Sequence, residues 1–152
     1  MKRSTVVVAA LLTIAAAAPA QSTADRPYFP PAEKYQKVDV RSVERAFVFA
    51  LGSDNNGVVE SAIAHVARIK IEIPSAPMER AKAALGCLSV NGRTSGIRYR
   101  AYLAGLVFDD PALFAEDGAR NFDTSEQFFT ALSGRLQSAL LSAADRKYVR
   151  PE

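Results

Sequence analysis

Three observations predict an all-α protein. From Asp39 onward, apolar residues recur at three- and four-residue spacing; capping residues, prolines and glycines fall where those stripes begin and end; and no strictly alternating run bounded by hairpin turns competes with them. The expected architecture is a short α-solenoid of two similar helical hairpins closed by a C-terminal capping helix, with the domain spanning residues 39–148.

The elements follow in order. Lys2-Arg3 runs into the apolar stretch Val6 to Ala18 and closes on Ala18-Pro19-Ala20, the layout of a secretory signal peptide over residues 1–20. The apolar run is short for a bilayer span, and no cysteine follows the cleavage position, which argues against a diacylated lipoprotein. The mature chain is therefore expected to begin at Gln21, to carry no transmembrane segment and to be exported, to the periplasm or outside the cell. Removing Lys2 and Arg3 from the 19 basic residues leaves 17 against 16 acidic ones, a net of +1, so overall basicity carries no functional message. What remains after the leader is still long enough for one domain with a buried core. With Cys87 as the one cysteine, no intramolecular disulfide is available.

Residues 21–38 read as an arm. Pro27, Pro30 and Pro31 oppose regular structure, and Tyr28, Phe29 and Tyr35 suit an extended strap that packs back on the body. A first helix aligns Val40, Val43, Phe47, Ala50 and Leu51, leaving Arg41, Glu44 and Arg45 off that face. A second aligns Val58, Val59, Ala62, Ile63, Val66, Ile69 and Ile73 and ends at Pro74. A third, from about Met78 to Leu88, groups Met78, Ala81, Leu85 and Leu88. Ile97 to Phe108 is apolar nearly all round, as suits a helix between two neighbours. Asp110 caps a short turn starting at Pro111 and stopping at Gly118. Thr124 and Gln127 form a capping box for a long helix bearing Phe128, Phe129, Leu132, Leu136, Ala139, Leu140 and Ala143.

The hairpins repeat one another. Asn55-Asn56-Gly57-Val58 returns as Thr94-Ser95-Gly96-Ile97, and Ala62 returns as Ala101 at the same offset; Glu44-Arg45-Ala46 returns as Glu79-Arg80-Ala81 at a slightly shorter one. Asn55 and Thr94 are placed to cap the second helix of each pair, and Ala62 and Ala101 are small enough for close helix approach. Thr94-Ser95-Gly96-Ile97-Arg98-Tyr99-Arg100-Ala101 resembles the start of the second helix in HEAT repeats. Val59 in the first unit departs from that pattern where the arginine would stand, so the likeness is to HEAT-like or armadillo-type repeats over about residues 39–112. The resemblance implies a right-handed stack of hairpins serving as a binding surface.

Few side chains stand where chemistry would need them. His65, at the edge of the second stripe, fits a partly buried structural role with a hydrogen-bond partner, and no second histidine or cysteine stands at ligand spacing beside it. Cys87, near the end of its helix, reads as a small buried hydrophobe and not a nucleophile. Asp109-Asp110 and Glu116-Asp117 lie close in sequence, but capping and a polar turn account for them. Phosphate loops, dinucleotide fingerprints and nucleophile elbows do not occur. No enzymatic activity, cofactor or metal is expected.

Charge, in contrast, is segregated. Arg68, Lys70, Arg80, Lys82, Arg93, Arg98 and Arg100 face only Glu72 and Glu79 between residues 68 and 100, whereas residues 109–126 hold six acids against Arg120. Either the two blocks pair or lie solvated, or the basic block is a weak binding patch that recruits an acidic protein partner; nucleic acid does not suit an exported chain lacking an aromatic platform there. The expected function is an exported, non-enzymatic interaction or scaffold module, monomeric or weakly associated, with Arg93 left exposed by the inter-hairpin loop. The alternative is a small ligand-binding or envelope-surface protein holding an anionic lipid or glycan.

Overall fold

The computed structural model describes residues 27–35 and 39–148; the expected leader, 1–20, and the first residues of the arm lie outside them. Among the described residues there are seven helices, packed antiparallel, and no strands: α1 (Ala32–Tyr35), α2 (Val40–Leu51), α3 (Asn56–Glu72), α4 (Glu79–Asn91), α5 (Ser95–Asp109), α6 (Ala115–Gly118) and α7 (Ser125–Tyr148), with a 3-10 turn at Pro111–Phe114 before α6. No described helix is long and apolar enough to cross a membrane.

Helix starts follow the capping chemistry. Asp39 accepts from the Arg41 amide, Asn55 from Gly57 and Val58, and Thr94 from Ile97, so orphan amides at three N-termini are satisfied locally. The capping box at α7 forms with one shift. Thr124 Oγ1 accepts from the Gln127 amide at 3.2 Å, but the Gln127 side chain reaches the Asp123 amide, one residue earlier than the simplest box.

Packing centres on α3, which touches α1, α2, α5, α6 and α7. Its wide stripe explains that position: Val59, Ala62, Ile63, Ala64, Val66, Ala67, Ile69 and Ile71 are all buried, each large aliphatic contributing about 1.5–3 kcal/mol. α2 packs on α3 and on α4, and α5 packs on α3 and on α4. Gly92, between α4 and α5, cannot carry a side chain, because a Cβ there would lie 2.6 Å from the Leu88 carbonyl and 2.8 Å from Ile97. Gly118 is equally constrained by Ile71 at 2.8 Å.

The arm forms the aromatic strap, with a single helical turn, α1, despite its prolines. The Tyr28 amide donates to the Phe122 carbonyl at 2.9 Å and its hydroxyl to Ser61 Oγ at 3.0 Å. Phe29 is buried edge-on to Phe128, with ring centroids 4.9 Å apart. Tyr35 is also buried, without a hydrogen-bond partner for its hydroxyl among the described residues.

Two elements differ from their sequence expectation. Cys87 is exposed, because the buried side of α4 runs through Ala81 and Leu85 and position 87 turns to the opposite side. Helix α7 is covered only at its start: Phe128, Phe129 and Leu132 are buried, whereas Leu140, expected on the same packed face, is 62% exposed. No described part of the body reaches that far along the helix.

Candidate functional site

The seven basic residues expected to form one patch are dispersed, and most are engaged by the fold. Arg68 is a correction: it is 4% exposed, donates to the carbonyls of Asp117 (2.8 Å), Gly118 and Arg120 (3.1 Å), and pairs with Glu72 at 2.9 Å. A buried guanidinium has enough donors to gather the carbonyls left over at the end of α6, and it cannot serve a partner from there. Lys70 donates to the carbonyls of Pro74 (2.7 Å) and Ala76 (3.1 Å), closing the end of α3. Lys82 pairs with Asp109 at 2.8 Å, which raises its pKa through a direct hydrogen bond and charge attraction. Arg93 pairs with Asp54, Arg98 donates to the Gly92 carbonyl at 2.7 Å, and Arg100 bridges Glu60 and Glu126.

The basic and acidic blocks therefore meet each other: Lys82 with Asp109, Arg100 with Glu126, and Arg68 with the backbone of 117–120. Asp117 is a second correction. Expected on a polar turn, its side chain is 1% exposed and holds Arg120 at 3.3 Å and Arg135 at 3.5 Å.

Arg80 alone of the seven makes no side-chain ion pair or hydrogen bond among the described residues, and α2 supplies two companions that the basic-block reading missed. Arg41, Arg45 and Arg80 line an open cleft of about 430 Å³ between α2 and α4, with Pro77 at its edge and Glu44. None of the three arginines forms an ion pair among the described residues. Glu44 is buried because its carboxylate caps α4, Oε1 accepting from the amides of Arg80 at 2.8 Å and Ala81 at 3.2 Å. Arg45 donates to Ser42 Oγ at 3.2 Å, and Ser42 in turn donates to Asp39, whose carboxylate Arg45 also attracts; the cleft thus gathers three guanidinium groups outside any ion pair beside a Glu44 carboxylate spent as a cap. Their fork-shaped donors suit bidentate recognition of carboxylate or phosphate oxygens. A sequence signal for this cleft existed: the repeated Glu-Arg-Ala triplet sets Arg45 and Arg80 at matching positions of adjacent helices.

His65 sits as expected of a structural residue. Its Nδ1 is 2.9 Å from the Ser61 carbonyl, which only accepts, so that nitrogen carries the proton. Phe47 stacks on the ring, with Tyr28 and Phe29 tilted beside it. No group of three or more potential metal-ligating side chains occurs among the described residues. A second groove, of about 420 Å³, runs between α5 and α7 past Tyr99, Arg100, Ser133, Gly134 and Gln137.

No protein-family model, no curated protein and no solved structure matches this chain.

Proposed function

We propose that this chain is an exported, non-enzymatic interaction module that recruits an acidic segment of a partner protein at the Arg41–Arg45–Arg80 cleft. The observation that carries the reading is the convergence of three unpaired guanidinium groups on one cleft in a molecule whose other described clustered cations are engaged internally. A HEAT-like stack is the finer reading of the fold. It is supported by α2 lying on α4 and α3 on α5, by caps at Asn55 and Thr94, and by Ala62 and Ala101 both buried at the helix contacts. The export part rests on the leader, and intact mass beginning at Gln21 tests it.

The cleft is tested by titrating a labelled poly-glutamate peptide and, separately, vesicles rich in anionic lipid. Peptide binding that weakens with salt, as expected for charges screened over about 8 Å, and that is lost in Arg45→Glu with Arg80→Glu at unchanged melting temperature, is the expected result. Vesicle binding without peptide binding would assign the cleft to an anionic lipid surface. Arg93→Glu is the control: it breaks a surface pair with Asp54 and should leave binding intact.

A further inference from the structure

We propose that the groove between α5 and α7 is a second binding site, and that it takes a neutral, hydroxyl-rich saccharide. The site uses none of the residues of the arginine cleft. Its walls follow from sequence spacing. Glu126, Thr130, Ser133 and Gln137 recur at three- and four-residue intervals on α7, and Gly96, Tyr99 and Arg100 do so on α5, so each helix presents one stripe to the groove. From Glu126 to Gln137 the α7 wall is about 16 Å long. The volume of about 420 Å³ is that of a small-molecule site.

Three properties name the ligand class. The first is a fixed aromatic surface. Tyr99 springs from α5 and its hydroxyl lies 2.8 Å from Ser133 Oγ on α7, so the ring is tied at both ends across the groove while the residue stays 49% exposed. The negative face of such a ring suits the weakly positive C–H groups on the flat side of a sugar. The second is hydrogen-bonding capacity of both kinds. Thr130 and Gln137 are exposed and their side chains make no hydrogen bond among the described residues, while Glu126 gives one oxygen to Arg100 and keeps the other. A hydroxyl, which donates and accepts, uses all three. The third is room. No atom lies within 4 Å of where a Gly134 side chain would begin, and at Gly96, on the facing wall, only Thr94 Oγ1 does, at 3.8 Å.

Other ligand classes fit less well. Arg100 is shared between Glu60 and Glu126, so one cation stands against two carboxylates and a phosphate or carboxylate ligand meets repulsion. An alkyl chain finds no open apolar floor, because Phe129 is 4% exposed and the Arg100 guanidinium lies over its ring at 5.7 Å. An organic cation suits the Tyr99 ring and the surplus carboxylate, but it leaves the donors of Thr130 and Gln137 unused.

Titration of the purified chain, as recovered from the producing cell, with maltotriose, cellotriose, tri-N-acetylchitotriose and, separately, tetramethylammonium tests the proposal by amide NMR. At least one of the sugars should bind with a Kd of about 1 mM or below and shift the amides of both Gly96 and Gly134. Gly134→Leu fills the groove and should weaken binding at least about tenfold at an unchanged or raised melting temperature, since leucine is the better helix former. The same substitution at Gly86, equally open but on α4, should leave binding intact. Thr130→Val and Gln137→Leu should each weaken binding about two- to tenfold, the effect of one lost hydrogen bond. Absence of binding by all three sugars up to about 10 mM, sugar binding that survives Gly134→Leu, or tetramethylammonium shifting the two glycine amides where the sugars do not, would each overturn it.

Discussion

The two helical hairpins carry the same Glu-Arg-Ala triplet and put it to different use. In the first, Glu44 is buried beneath α4 and binds two amides at that helix's N-terminus; in the second, Glu79 is exposed. The difference is positional. Glu44 has another helix start beside it, whereas the chain after α5 turns into Pro111–Phe114 and α6 and offers Glu79 no equivalent. The second helices diverge in the same manner: Arg68 on α3 corresponds to Val107 on α5, at the offset that relates Ala62 to Ala101, and both are buried. Only Arg68 faces the carbonyls of 117–120. A repeated sequence unit thus fixes helix starts and spacing, while each unit's neighbours decide whether a given position must be polar.

Substitutions at matched positions sharpen this contrast. Arg68→Ala should cost about 3–5 kcal/mol, because it leaves Glu72 and the α6 carbonyls buried without their partner. Val107→Ala should cost about 2 kcal/mol for two methyl-sized groups. Chemical denaturation measures both, and equal losses would remove the energetic distinction between the hairpins. Ala62→Leu and Ala101→Leu should each cost about 1–3 kcal/mol by overpacking, and similarly, if the hairpins share one packing geometry. A neutral Ala101→Leu would break the repeat alignment.

Glu44→Ala should cost about 1–2 kcal/mol as a lost helix cap. Glu79→Ala should stay within about 0.5 kcal/mol. The smallest effect is a dependence on pH. Burial pushes the Tyr35 hydroxyl up to about 12, with the Arg68 charge offsetting only part of that shift. The folded protein holds this proton more tightly than the unfolded chain, whose tyrosine titrates near about 10. The associated stability is therefore intact below that value and is lost as pH rises through about 12. Tyr35→Phe should flatten this part of the alkaline stability curve; an unchanged slope would assign it to other groups.

Helix identity was legible because periodicity and caps are local. Asn55, Thr94, Asp110 and Thr124 all act where their spacing placed them. What lies opposite a helix is not local, and there the reading of single stripes stopped short. Asp117 looked like a turn residue because Arg135, which binds it, stands on α7, well beyond that turn. The basic block looked like a surface because Asp109 and Glu126, on other elements, neutralise two of its members. Leu140 continues an apolar periodicity whose cover ends a turn earlier. The arginine cleft joins α2 to α4 across the whole of α3, and only the repeat, taken as a stacking rule, could have brought Arg45 beside Arg80.

The strap has a kinetic consequence. Tyr28 is hydrogen-bonded to Phe122, and Phe29 packs on Phe128, so the first described residues close their contacts with nearly the last core residues of the chain. Closure of so long a loop is entropically costly and is among the slow contacts of a helical protein. In a chain exported with its N-terminus first, as proposed above, Tyr28 and Phe29 would meet Ser61 and His65 of α3 before Phe122 and the start of α7 complete their pocket. On that route the strap is among the first described residues to emerge, yet its contacts with Phe122 and Phe128 are the last it can close.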